Sequence, residues 1–243
     1  GEFHSCVRQL GGTVLCWGLG SAGQVGDGKG AVKNGPAQVK LAGAAQQIDA
    51  GRTFACALLA SGKVQCWGYN GYAQLGDGTG GTGKEATTPV DVANLSGVSK
   101  IALGWSHACA ISAGKLYCWG RGNNYQLGSQ TSSYTGKAKE VPGIWSVQHV
   151  AAGEAHTCAI AMGGKFYCWG ANGKQQSAPG ANALLIKQPT EVTVTPQASQ
   201  VSLGRMHTCI VDDKANAWCW GENNVGQVGD GTTKVSGTPT KVE

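Results

Sequence analysis

Ten cysteines fall into five pairs, Cys6 with Cys16, Cys56 with Cys66, Cys109 with Cys118, Cys158 with Cys168 and Cys209 with Cys219. Thiols paired in this way can hold a metal or form bridges. Zinc sites use a short knuckle of about two to four residues between cysteines, which is missing here, so the spacing points to disulfides and to an oxidising compartment. His4, His107, His156 and His207 share one repeat position, two residues before the first cysteine of a pair, and Phe54 takes that position in the second repeat. Equivalent positions spread around an axis cannot converge on one ion, so these histidines are expected to make structural hydrogen bonds to neighbouring backbone. Asp27, Asp77 and Asp230 are lone carboxylates in Gly-Asp-Gly turns, which suits turn capping better than calcium. Gly104-Trp105-Ser106-His107-Ala108 imitates a nucleophile elbow, but it joins two strands where an elbow joins strand to helix. Asn94-Leu95-Ser96 is an N-glycosylation sequon. With no paired carboxylates, phosphate loop or zinc protease motif, the expectation is no catalytic residue, no cofactor and no metal.

The elements that position these residues repeat. Cys-Trp-Gly occurs with its cysteine at Cys16, Cys66, Cys118, Cys168 and Cys219, a period of 50 to 52 residues. Each repeat reads as four short strands, such as QQIDAG, FACALL, KVQCWG and TTPVDV, with no helical period. A tight hairpin joins the second strand to the third. Pairing Cys56 with Cys66 leaves Ala60-Ser61-Gly62 as its loop, Gly12 and Gly164 fit likewise, and Ala113-Gly114 suits a two-residue turn. The fifth repeat has Asp213-Lys214-Ala215 and no glycine there. Such units cannot bury both faces alone, so they must pack face to face around an axis. The expected fold is an all-β propeller of about 50-residue, four-stranded blades, with repeats at approximately 1–43, 44–97, 98–146, 147–197 and 198–243. Trp17, Trp67, Trp119, Trp169 and Trp220 would fill the seams between blades.

The stretches FACALLASGKVQCWGYNGYAQLGDGT and HTCIVDDKANAWCWGENNVGQVGDGT resemble repeats of the regulator of chromosome condensation family, and the likeness covers essentially the whole chain. The resemblance implies an innermost first strand in each blade and, for typical members, seven blades. The doubled cysteines look like those of secreted bacterial members and unlike the family's nuclear, nucleotide-exchange namesake. The fourth repeat departs from the pattern with ANGKQQSAPG, and the third with Leu127-Gly128-Ser129, so those loops are expected to be reshaped. Only four innermost strands are present for five blades, around Ile48, Ile101, Val150 and Val201. A longer native chain, or self-association with a neighbouring chain, is expected to complete the first blade.

Composition narrows the function further. The 40 glycines among 243 residues demand frequent turns, and the 19 Lys and Arg are scattered, which gives nucleic-acid binding no support. No apolar run approaches the roughly 20 residues of a membrane span. An extracellular or periplasmic protein, or one at the cell surface, fits the cysteines.

Strand alternation says where binding residues belong. The end of the first strand and the end of the third open on the same face. After the inner-strand glycine come Glu2-Phe3, Arg52-Thr53, Trp105-Ser106, Glu154-Ala155 and Arg205-Met206, which should ring the axis. After Trp-Gly come Leu19, Tyr69, Arg121, Ala171 and Glu222, farther out. Arg52, Tyr69, Trp105, Arg121, Glu154, Arg205 and Met206 are the candidate partner-binding residues, because the scaffold does not require their types there. The expected function is a non-catalytic, disulfide-stapled scaffold that binds a protein. The alternative is a carbohydrate-binding propeller or adhesin in which Trp105, Tyr69 and Tyr72 stack on a glycan.

Overall fold

The computed structural model describes residues 1–194 and 197–243. Five antiparallel sheets follow one another along the chain. The first has three strands, β1 (His4–Arg8), β2 (Val14–Gly18) and β3 (Lys33–Gln38). The second has four, β4 (Ala45–Ala50), β5 (Phe54–Leu59), β6 (Val64–Tyr69) and β7 (Glu85–Asp91). The third comprises β8 (Val98–Leu103), β9 (His107–Ser112), β10 (Lys115–Gly120) and β11 (Thr135–Glu140). The fourth comprises β12 (Val147–Ala152), β13 (His156–Ala161), β14 (Phe166–Ala171) and β15 (Leu185–Glu191). The fifth comprises β16 (Ala198–Leu203), β17 (His207–Asp212), β18 (Ala217–Gly221) and β19 (Ser236–Lys241). The first sheet holds no innermost strand, as the repeat pattern predicts. No helix among the described residues is long and apolar enough to cross a membrane.

Register explains the staples. In each blade the two cysteines are directly opposed, for example Cys56 with Cys66, and all five pairs are bonded with Cα atoms 4.0 to 4.1 Å apart. That separation is near the roughly 4.5 Å of a non-hydrogen-bonded antiparallel pair, the site at which a bridge fits without moving the backbone. No cysteine is free.

The hydrophobic core is divided among four seams between blades. Trp67, Trp119, Trp169 and Trp220 are wholly buried there, and each indole N–H donates to a glutamine carbonyl of the preceding blade: Gln24, Gln74, Gln126 and Gln176. Burying roughly 150–250 Å² per indole is worth about 4–6 kcal/mol by area. Trp17 is only half-buried, because no blade within residues 1–243 packs on that face of β2. On the outer strands Pro36, Pro89, Pro189 and Pro239 sit at one register position and remove an edge N–H donor, which discourages pairing with other chains.

The hairpins close as their glycines require. Gly62 has φ 77°, and Ala113-Gly114 takes φ 49° and 74°, so both residues of the tight turn are left-handed. Without a glycine, the fifth hairpin puts Ala215 at φ 63° and recruits Asp212 to hold the turn. The Asp212 carboxylate accepts the Lys214 and Asn216 backbone N–H groups and the Trp218 indole N–H, each at 2.8 Å. Burial pushes its pKa up, but these hydrogen bonds win and hold it at about 2. Ala215→Gly relieves the left-handed alanine and should stabilise the fold by about 0.5–1 kcal/mol, read as a higher midpoint in thermal unfolding. A lower midpoint would show that Asp212 already removes the strain.

Candidate functional site

The inner-strand glycines exist because a side chain lies across each of them. A Cβ on Gly104, Gly153 or Gly204 would fall within 2.3 Å of the ring of His107, His156 or His207, and Phe54 blocks Gly51 in the same way. Two of the four histidines, His107 and His156, bond across the seam to a hydroxyl, which corrects the expected backbone partner. His107 Nε2 lies 2.9 Å from Thr157 Oγ1, and His156 Nε2 lies 3.2 Å from Thr208 Oγ1. Each threonine donates onward to a glutamine carbonyl, Gln126 or Gln176, so the histidine must be the donor through Nε2–H. Burial pushes both imidazoles down to about 3, which keeps them neutral. Their role is structural, and the second seam replaces the pair with Phe54 against Ala108.

Beyond each glycine the chain turns out over the axis. Backbone hydrogen bonds lace these turns together from blade to blade: Glu2 N to Arg52 O at 3.0 Å, Arg52 N to Trp105 O at 3.1 Å, Trp105 N to Gly153 O at 3.3 Å and Glu154 N to Arg205 O at 3.2 Å. Glu2, Arg52, Trp105, Glu154 and Arg205 therefore ring one axial mouth with a cavity of about 370 Å³. The Arg52 guanidinium lies 4.9 Å from the centre of the Trp105 ring and that of Arg205 lies 5.2 Å from it. Glu2 pairs with Arg52, and Glu154 with Arg205 at 2.8 Å, which raises the pKa of both arginines. Beneath the mouth, Asp49 accepts the Leu103 N–H at 2.8 Å, and burial raises its carboxyl pKa.

The post-tryptophan residues lie beside this ring. Tyr69 N donates to Thr53 O, Arg121 N to Ser106 O, and Glu222 N to Met206 O, so one backbone bond in each blade ties the outer set to the inner one. Arg121 stacks 4.9 Å from the centre of Tyr72, whose ring meets Tyr69 edge-on at 6.3 Å. Met206 lines a second cavity of about 300 Å³ with Arg205, Glu154 and Lys174. All seven candidate residues thus lie on one face.

Lys174 has no place in the sequence reading, and Tyr72 enters it only as a glycan-stacking ring of the alternative. They belong to a third variable position, shared with Ala22, Asn124 and Val225, whose N–H in every repeat donates to the glutamine two residues on. The signal in the sequence is the Gln-centred loop, where this position runs Ala22, Tyr72, Asn124, Lys174 and Val225 from repeat to repeat. On the opposite face Trp145 and Met162 are also exposed, at 66% and 65%, where other repeats carry Gly43 or Ser96 and Ala60. The Gly-Asp-Gly carboxylates cap turns: Asp77 and Asp230 accept the N–H of Thr79 and Thr232, each at 2.9 Å. The reshaped fourth loop has no such aspartate; there Asn172, the counterpart of Asn70 and Asn223, accepts the Ser177 and Ala178 N–H groups and donates its side-chain amide to the Ala183 carbonyl at 2.8 Å.

The family description "Regulator of chromosome condensation (RCC1) repeat" matches residues 11–58, 61–111 and 113–160. The chain belongs to the RCC1 repeat family. A second description of the same repeat matches 45–74, 98–126, 147–176 and 198–227. Among relatives, the human E3 ubiquitin-protein ligase HERC2 is 30% identical over 199 residues, which cover 79% of this chain and 4% of the ligase. Human WBSCR16 shares the fold with a TM-score of 0.88 at 22% identity, over all of this chain and 65% of that one. Prp20p from Saccharomyces cerevisiae does so with a TM-score of 0.82 at 23% identity, over all of this chain and 61% of that one. The chain thus spans a small part of the ligase and less than two thirds of either solved chain. As an RCC1 propeller stapled by five disulfides, it is built for an oxidising environment.

Proposed function

We propose that this RCC1-repeat chain is a non-catalytic extracellular binding scaffold, of the cysteine-rich secreted bacterial type, that recognises a protein through its mouth face. The observation that carries this reading is the gathering of Glu2, Arg52, Trp105, Glu154 and Arg205 at one cavity, in slots whose residue type the blades leave free. Aromatic and arginine side chains held rigidly by neighbours are the usual anchors of protein interfaces. Prp20p, with the same fold, has binding properties toward Gsp1p and histones, a precedent for protein partners on such a propeller. The glycan reading loses ground because stacking on a sugar needs a free ring face. Arginines already lie over Trp105 and Tyr72.

Trp105→Ala should weaken a partner recovered from the native surface by about 2 kcal/mol, roughly thirtyfold, with the melting temperature nearly unchanged. Charge reversals at Lys63 and Lys165, on hairpins of the opposite face, serve as controls in the same titration. If those reversals abolish binding while Trp105→Ala leaves it intact, the wrong face has been chosen.

A further inference from the structure

The mouth face carries an unbalanced charge within a ladder of cations and rings. Arg121 stacks on Tyr72, and Arg52 and Arg205 both lie over Trp105. Glu2 and Glu154 neutralise two of the three arginines. Arg121 makes no ion pair and no side-chain hydrogen bond among the described residues, and its Nε is buried without an acceptor. Arg205 gives only Nε to Glu154, which leaves its terminal nitrogens unused.

Building on the protein-binding reading above, we propose that the partner lays an acidic segment on this face, with one carboxylate on Arg121 beside Tyr72 and a second at the terminal nitrogens of Arg205. A carboxylate bonds a guanidinium roughly twice as strongly as a neutral acceptor does. Tyr72 shields one face of Arg121 from water and so directs acceptors to its edge. Glu2 and Glu154 stand among the arginines and repel most strongly the higher charge density of a sulfated glycan or a nucleic acid, which favours a carboxylate-bearing peptide over either.

The test is fluorescence anisotropy at low salt with a labelled hexaglutamate peptide, and hexaglutamine and a heparin hexasaccharide as competitors. Hexaglutamate should bind at least tenfold more tightly than hexaglutamine. Arg121→Gln should weaken it about tenfold with an unchanged melting temperature, Arg121→Lys should restore part of the loss, and Lys165→Glu on the far face should do nothing. Equal binding of the two peptides, preferential binding of heparin, or an Arg121→Gln variant that binds like the parent would each overturn the proposal. The two readings fail differently. If Trp105→Ala releases the native partner while hexaglutamate does not bind, the acidic segment is wrong and the face stands. If Trp105→Ala leaves the native partner bound, the face itself is wrong.

Discussion

Taking the protein from pH 7 to pH 4.5 is expected to remove about 5 kcal/mol of stability through His107 and His156 alone. Both titrate near 6.5 when unfolded, and burial holds them down to about 3 in the fold. Above pH 6.5 neither state binds the proton, so their contribution is fully present. Below it the unfolded chain takes up protons that the native chain refuses, and stability falls by about 1.4 kcal/mol per pH unit for each ring until the folded pKa is reached. The second seam supplies the control. There Phe54 and Ala108 fill the places that His107 and Thr157 occupy one blade on, so the double variant His107→Phe with Thr157→Ala copies a packing the molecule already uses. It should remove about half of the loss in urea titrations run across this pH range. A flat profile in the parent, or an unaltered slope in the double variant, would show that the imidazoles protonate freely.

The next largest effect lies in the indoles. Trp119→Ala should cost about 3–5 kcal/mol, as large-to-small changes in a packed core do. The comparison of phenylalanine variants is more informative. Trp119 is the side-chain donor to the Gln74 carbonyl, whereas the Gln126 carbonyl receives both Trp169 and the Thr157 hydroxyl. Trp119→Phe strands a buried acceptor and Trp169→Phe does not, so the first should be less stable by about 1 kcal/mol or more in chemical denaturation. Equal losses would mean that the carbonyl hydrogen bonds add little beyond the packing of the rings.

Much of this was written in the sequence, and the boundary of what was legible follows contact distance along the chain. The staples and hairpin turns are set within one repeat, so Cys56 and Cys66 with Gly62 between them announce a three-residue loop, and the seam indoles declare themselves by recurring in every repeat. The mouth was legible too, because strand alternation fixes the face on which Trp105 and its counterparts emerge. The threonine partners were not. Thr157 lies 50 residues from His107, and the match becomes visible only when a repeat is compared with the one after it. Asp212 was missed for the opposite reason. It compensates for an absent glycine, and a pattern built on what repeats share passes over the residue that makes good a local deficit.

All five disulfides lie inside a hairpin, and none joins one blade to the next. A gene segment encoding one blade can then be duplicated or deleted with both halves of its bridge, and no orphan thiol is left to cross-link wrongly during oxidative folding. What such an event must respect is the neighbour: a blade bearing His107 has to be followed by one bearing a hydroxyl at the Thr157 position, whereas a blade bearing Phe54 accepts Ala108. His4, followed by Ala55, leaves its Nε2 without a partner and marks a junction where that order is broken. The seams thus act as a grammar for which repeat can succeed which, while the covalent bonds leave blade number free to drift.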